Sequence, residues 1–98
     1  MSFRTLDLNL LRVFDAVMAE RNLTRAADQL AMTQPAVSNA LRRLRDSVGE
    51  PLFTRAAYGV KPTARAEALW PVVQQALQGV SLRMSEAQWQ SILQAGQA

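Results

Sequence analysis

Asn22 to Val48, NLTRAADQLAMTQPAVSNALRRLRDSV, is the stretch whose reading decides the fold. Its spacing predicts two helices joined by a tight turn around Ala31, Met32 and Thr33. Thr24 is placed to cap the first helix, and Ala26, Ala27 and Leu30 give that helix one small apolar face. Thr33 is placed to cap the second. Pro35 falls in that helix's first turn, where a missing N–H costs nothing because the donor has no intrahelical partner. Val37, Ala40, Leu41, Leu44 and Val48 then recur at the three-and-four spacing of a buried stripe. The opposite face carries Gln34, Ser38, Asn39, Arg42, Arg43 and Arg45. A polar, cationic face of this kind suits base edges beside a phosphate backbone. Small residues in the first helix allow a close, steep crossing, as in a helix-turn-helix unit. The same pattern also occurs in helical bundles whose arginines are merely solvated, so spacing supports this reading without proving it.

The remainder of the composition fits that motif. A chain of 98 residues suits one small domain plus an extension, and 49% apolar with 19% charged residues is a globular balance. The formal charge is only +3, so its placement matters more than its size. From Arg42 to Arg65 there are six basic residues (Arg42, Arg43, Arg45, Arg55, Lys61, Arg65) against two acidic ones (Asp46, Glu50). Cation therefore collects in and just after the second helix, as an anionic partner requires. Cysteine and histidine are both absent. Disulfides are excluded, a zinc site and any other bound cofactor are not expected, and the commonest general base is missing. No apolar run reaches membrane-spanning length and no signal-peptide pattern opens the chain, so a cytoplasmic location is expected.

Before the motif, a first helix is expected from Leu8 to Glu20, with Leu10, Leu11, Phe14, Val17 and Met18 on one face. Asp7 is its expected N-cap and Phe14 its central core aromatic, while Arg12, Asp15, Glu20 and Arg21 form a solvated face. After the motif, Gly49 stops the second helix. Leu52 and Phe53, then Arg55, a loop from Ala56 to Gly59, and Val60 predict a two-stranded hairpin bracketed by Pro51 and Pro62. So small a ribbon must pack on the helices through Leu52 and Phe53. Its loop would present Arg55 and Lys61 to a phosphate backbone or minor groove, unless the hairpin only closes the core. From Thr63, a cap, a long helix is expected to about Leu93. Ala66, Leu69, Val73, Ala76 and Val80 follow the seam of a coiled coil, widened by Leu77 and Met84. At 1.5 Å per residue this helix would be about 45 Å long, which is too long to fold back on the core. A twin helix is then the natural cover, hence a homodimer in preference to a helix packed within its own chain, with tetramers left open. Pro71 should kink the helix and Gly79 weaken it. Trp70 and Trp89 are expected to be packing or interface residues, and the tail from Ser91 to Ala98 to fray.

The residues DLNLLRVFDAV, then NLTRAADQLAMTQPAVSNALRRLRDSVGEPLFTR, then the K-P-T before the long helix resemble the N-terminal DNA-binding domain of the LysR-type transcriptional regulators. The likeness covers roughly Leu6 to Leu77. The PAVSNALRRLR run looks most like regulators of aromatic-compound catabolism and nodulation. This resemblance implies a mostly α winged helix-turn-helix: three helices and a small two-stranded wing over residues 1–62. A linker and dimerisation helix over 63–98 would follow. It implies sequence-specific binding of double-stranded DNA by a homodimer that regulates transcription, with two recognition helices on two half-sites of an interrupted palindrome. Carried over by position, Gln34, Pro35, Ser38 and Asn39 face bases. Thr33, Arg42, Arg43 and the wing residues Arg55, Lys61 and Thr63 position phosphates. Ala66, Leu69, Val73, Ala76, Leu77 and Val80 form the dimer interface. Asn39 departs from the arginine common there in the family, and an asparagine pairs with adenine where arginine favours guanine. Members usually continue into a much longer effector-binding domain, whereas this chain stops at Ala98. It is then either a truncated regulator or a short natural one, with no inducer bound by this chain.

Two other classes compete with this expectation. A helical interaction module would bind an acidic protein without the salt sensitivity of DNA binding. An enzyme would need catalytic groups, but the carboxylates are scattered and no glycine-rich phosphate loop appears.

Overall fold

The computed structural model describes residues 8–82. The elements follow the order α1 (Leu8–Glu20), α2 (Leu23–Leu30), α3 (Gln34–Val48), β1 (Phe53–Ala56), β2 (Gly59–Pro62) and α4 (Ala64–Leu82). The expected Asp7 cap, Met84, Trp89, the tail and the side chain of Val80 lie outside the described residues.

Helix α1 is the centre. Its Leu10, Leu11, Val13, Phe14, Ala16, Val17 and Met18 are all buried, which covers far more than one stripe. A helix apolar around most of its circumference must be covered from several sides. Accordingly α2, α3 and α4 all pack against it. The expected core aromatic, Phe14, is fully buried and meets Phe53 edge-on, with centroids 5.8 Å apart and planes at 61°. Leu52 is buried beside it, so the wing is anchored as expected through Leu52 and Phe53.

Both ends of the α2–α3 turn are closed by hydrogen bonds. The cap of α2 is Asn22 rather than Thr24. Asn22 is extended (φ −151°, ψ 121°) and its Oδ1 accepts from Arg25 N–H at 3.0 Å, so the helix opens ahead of the expected cap and Thr24 falls inside it. At the other end Ala31 takes the left-handed conformation (φ 55°), and Met32 N–H donates to Ala27 O at 2.9 Å. This pairing satisfies the last carbonyls and reverses the chain. Thr33 caps α3 as expected, its Oγ1 accepting from Ala36 N–H at 3.2 Å, and Gly49 ends α3 at φ 86°.

The antiparallel ribbon pairs Phe53 with Pro62, Thr54 with Lys61, Arg55 with Val60 and Ala56 with Gly59. Pro62 thus lies in the second strand rather than outside it. Arg55 and Lys61 sit on the strands, and the loop itself is only Ala57 and Tyr58. Val60 N–H donates to Arg21 O at 3.1 Å, which ties the ribbon to the end of α1. A Cβ at Gly59 would collide with that same Arg21 carbonyl, and Gly59 also has φ 128°. Thr63 fastens the other end. It caps α4 by accepting from Ala66 N–H, while its hydroxyl donates to Pro51 O at 2.9 Å.

The largest correction concerns α4. Ala66 and Val73, expected on a dimer seam, are buried in the chain's own core, and Leu69 and Leu77 pack partly against it. The helix does fold back, because α1 is apolar on that side too and offers it a surface. Trp70 Nε1–H donates to Asp15 Oδ1 at 2.8 Å and locks the two helices together, so Asp15 is not simply solvated. Pro71 lies within α4 at an exposed position. The carbonyl one turn earlier, which lacks its N–H partner, can face water there.

Gly59→Ala is expected to cost about 2 kcal/mol, from left-handed strain plus loss of the Val60–Arg21 bond. Gly49→Ala, with open space around its Cβ, should cost only about 1 kcal/mol. Denaturant melts of the two variants would measure the difference, and equal losses would remove the role given to the Arg21 carbonyl.

Candidate nucleic-acid interface

Helix α3 divides its faces sharply. Val37, Ala40 and Leu44 are buried, Leu41 and Val48 are half-buried, and Gln34, Pro35, Asn39, Arg42, Arg43 and Arg45 are exposed. Ser38 is half-buried at the edge. At 3.6 residues per turn, Ser38, Arg42 and Arg45 follow one flank, Pro35 and Asn39 point straight away from the core, and Arg43 lies on the other flank. The first flank borders the wing. A shallow open groove of about 230 Å³ runs between them, with Leu41, Leu52, Phe53 and Val60 as its floor and Ser38, Arg42 and Arg45 on its rim.

The wing register separates its cations. Residues paired across an antiparallel ribbon share a face, and neighbours along a strand alternate. Arg55 therefore shares the face of Phe53 and Val60, whereas Lys61 shares the opposite face with Thr54. One ribbon carries a positive charge on each side. Tyr58 stands at the tip, 96% exposed. The tip keeps Ala57 and Tyr58 at negative φ and places the left-handed residue at Gly59. An asparagine or glycine would serve this turn as well, so backbone geometry does not call for the tyrosine.

Ion pairs sort the basic residues. Arg45 pairs with Asp46 at 3.2 Å and Arg65 with Glu50 at 3.2 Å, both exposed. Among the described residues Arg42, Arg43, Arg55 and Lys61 have no carboxylate partner. Exposed pairs contribute little to stability, but they partly neutralise the cation for any other partner. Of the residues expected to position phosphates, those four remain open. Thr33 is exposed, with its hydroxyl oxygen already capping α3, and Thr63 is half-buried with its hydroxyl engaged internally. The structure therefore brings the residues expected to face bases and those expected on the wing to two adjoining elements, but gives Thr63 a structural task. Sequence reasoning did not single out Tyr58. An aromatic in the centre of a two-residue hairpin loop was the available signal. Groups of acidic side chains able to hold a metal ion are absent among the described residues, as is any helix long and apolar enough to cross a membrane.

Three helices with a ribbon packed beside the third, and a fourth helix closing the core, make this a winged helix-turn-helix, the fold of DNA-binding domains. The chain belongs to the lysR family of bacterial regulatory helix-turn-helix proteins, whose family pattern matches residues 8–67. It is similar to the HTH-type transcriptional regulator LeuO of Escherichia coli (strain K12), with 59% identity over 75 residues, 76% of this chain and 24% of the relative. A probable transcriptional regulator from Pseudomonas aeruginosa has a similar structure, with TM-score 0.77 and 44% identity over 85% of this chain and 28% of that one. The DNA-binding domain of BenM, in its complex with catB site 1 DNA, superposes with TM-score 0.76 and 31% identity over 80% of this chain and 88% of that one. The chain spans about a quarter of the length of the curated relatives it matches. It carries the DNA-binding domain of a transcriptional regulator.

Proposed function

We propose that this domain binds specific double-stranded DNA as a homodimer and so regulates transcription in the bacterial cytoplasm. The observation that carries this reading is the exposed row of α3 beside a wing whose cations, like Arg42 and Arg43, lack carboxylate partners among the described residues. Helix α3 enters the major groove with Gln34, Pro35, Ser38 and Asn39 toward base edges. Arg42 and Arg43 flank those residues and hold phosphates. The wing lies along the backbone, where Arg55 and Lys61, on opposite faces, meet phosphates on either side of it, and the Tyr58 phenol supplies a further donor at the tip. Asn39 favours adenine. The similarity to a domain crystallised on DNA supports the same reading.

The dimer surface follows from what α4 leaves uncovered. Ala66 and Val73 face inward, so the outward row one turn apart is Ala68, Val72 and Ala76, with Val72 61% exposed. Small residues on either side of an exposed valine let two helices approach closely. Two recognition helices related by a two-fold axis then meet half-sites about one DNA turn or more apart.

Selection from random duplex DNA should return a spaced, two-fold-related motif. An unstructured or empty selection would defeat the proposal. Asn39→Ala should lower affinity for that motif at least tenfold more than for random duplex, whereas equal losses would remove Asn39 from base reading. Arg55→Ala should weaken both and flatten the slope of log affinity against log salt by about 0.9 for each phosphate left unneutralised. Arg65→Ala, whose cation is paired with Glu50, should change the slope less, as fluorescence anisotropy in a salt series would show. Val72→Glu should shift the molecule toward monomer in sedimentation without unfolding it. A Val72→Glu chain that stays dimeric would exclude this face as the interface.

A further inference from the structure

On the outer side of the helix pair, Gln34 Nε2 donates to Thr24 Oγ1 at 3.3 Å. Among the described residues this is the side-chain-to-side-chain hydrogen bond that joins α2 to α3. Both residues are exposed, so neither fills the core, and Asn22 rather than Thr24 caps α2. The Thr24 hydroxyl therefore has a task that neither folding nor capping explains. We infer that Thr24 is a positioning residue for base recognition, holding the Gln34 amide so that it reads an adenine. This rests on the reading of α3 as the base-contacting helix and deepens it.

The chemistry follows from what the bond leaves free. A glutamine amide has one carbonyl oxygen and two N–H donors. Thr24 takes one N–H. The first turn of α3 then presents the carbonyl oxygen and the remaining N–H side by side, an acceptor next to a donor. Adenine shows the complement in the major groove, an N6 amino donor next to the N7 acceptor. Guanine shows two acceptors, O6 and N7, and would set the glutamine carbonyl against one of them. A glutamine free to turn about its last bond can offer either its oxygen or its NH2 group and accept either purine. The Thr24 hydroxyl accepts from Nε2 here, though a hydroxyl can also donate to an amide oxygen. The tether therefore restricts where the amide sits and, with Nε2 bonded, holds the adenine-reading order before DNA arrives, which also lowers the entropy lost on binding. Thr24 and Gln34 also sit on the two arms of one closed turn, so the tether is fixed to the same rigid unit as the helix it orients.

The test is selection from random duplex DNA by the parent chain, Gln34→Ala, Thr24→Val and Thr24→Ser, each checked by thermal melting. The parent should select a motif with adenine at one position per half-site, and Gln34→Ala should erase the preference at that position alone. Thr24→Val keeps the branched shape but has no acceptor. It should weaken the adenine-over-guanine preference at the same position roughly tenfold, with other positions unchanged. Thr24→Ser should retain the preference. Should Thr24→Val melt below the parent, Thr24→Ala, which also lacks the acceptor, replaces it. If Gln34→Ala relaxes the position and the Thr24 variants do not, the positioning role is overturned while base reading by α3 stands. If Gln34→Ala leaves the motif intact, the inference and the base-reading role of Gln34 fall together.

Discussion

Everything in this domain depends on a helix that cannot tolerate water on most of its sides. Val13, Phe14 and Val17 in α1 have no exposed surface and Met18 almost none. Fully burying side chains of this size is worth about 1.5–3 kcal/mol each relative to exposure. A chain this short reaches a stable core only by wrapping its other elements around that one helix. α2 and α3 cover one side and α4 another, and the wing is drawn in by the edge-on packing of Phe53 on Phe14.

The candidate surface on α3 and the wing is a consequence of that demand. The apolar stripe of α3 is held against the core, so its polar row is forced outward. The wing cannot drift from that row, because Val60 is tied to Arg21 and Thr63 to Pro51. Helix and ribbon are thereby held at a set spacing, which a ligand with a regular groove and backbone needs. Ion pairing then edits the charge. Asp46 and Glu50 draw off Arg45 and Arg65, leaving positive charge on Arg42, Arg43, Arg55 and Lys61. A net charge of only +3 is therefore compatible with a strongly cationic face.

What residue pattern could reveal was local. The extents of α1 and α3, the Thr33 cap, the Gly49 stop, the turn at Ala31 and the presence of a small ribbon all follow from periodicity and capping within a few neighbours. The runs TQPAVS and LF-R carry the resemblance to the lysR family, to which the chain belongs. The cap of α2 falls at Asn22 instead of Thr24 because both residue types are competent caps. Only the backbone angle at Asn22 separates them.

The sequence by itself determined which residues are apolar at helical spacing, and so which faces must be hidden. It also determined the polar row of α3 and the family. Only the tertiary structure decided what hides each face. Ala66 and Val73 read equally well as a seam for a twin helix or for α1, because a stripe specifies burial and not the partner that supplies it. The same holds for polar pairs that meet across the fold. Trp70 with Asp15, Gln34 with Thr24, and the opposite faces of Arg55 and Lys61 depend on docking angle and strand register. Those are set when separate elements pack together, and no short window of sequence contains them.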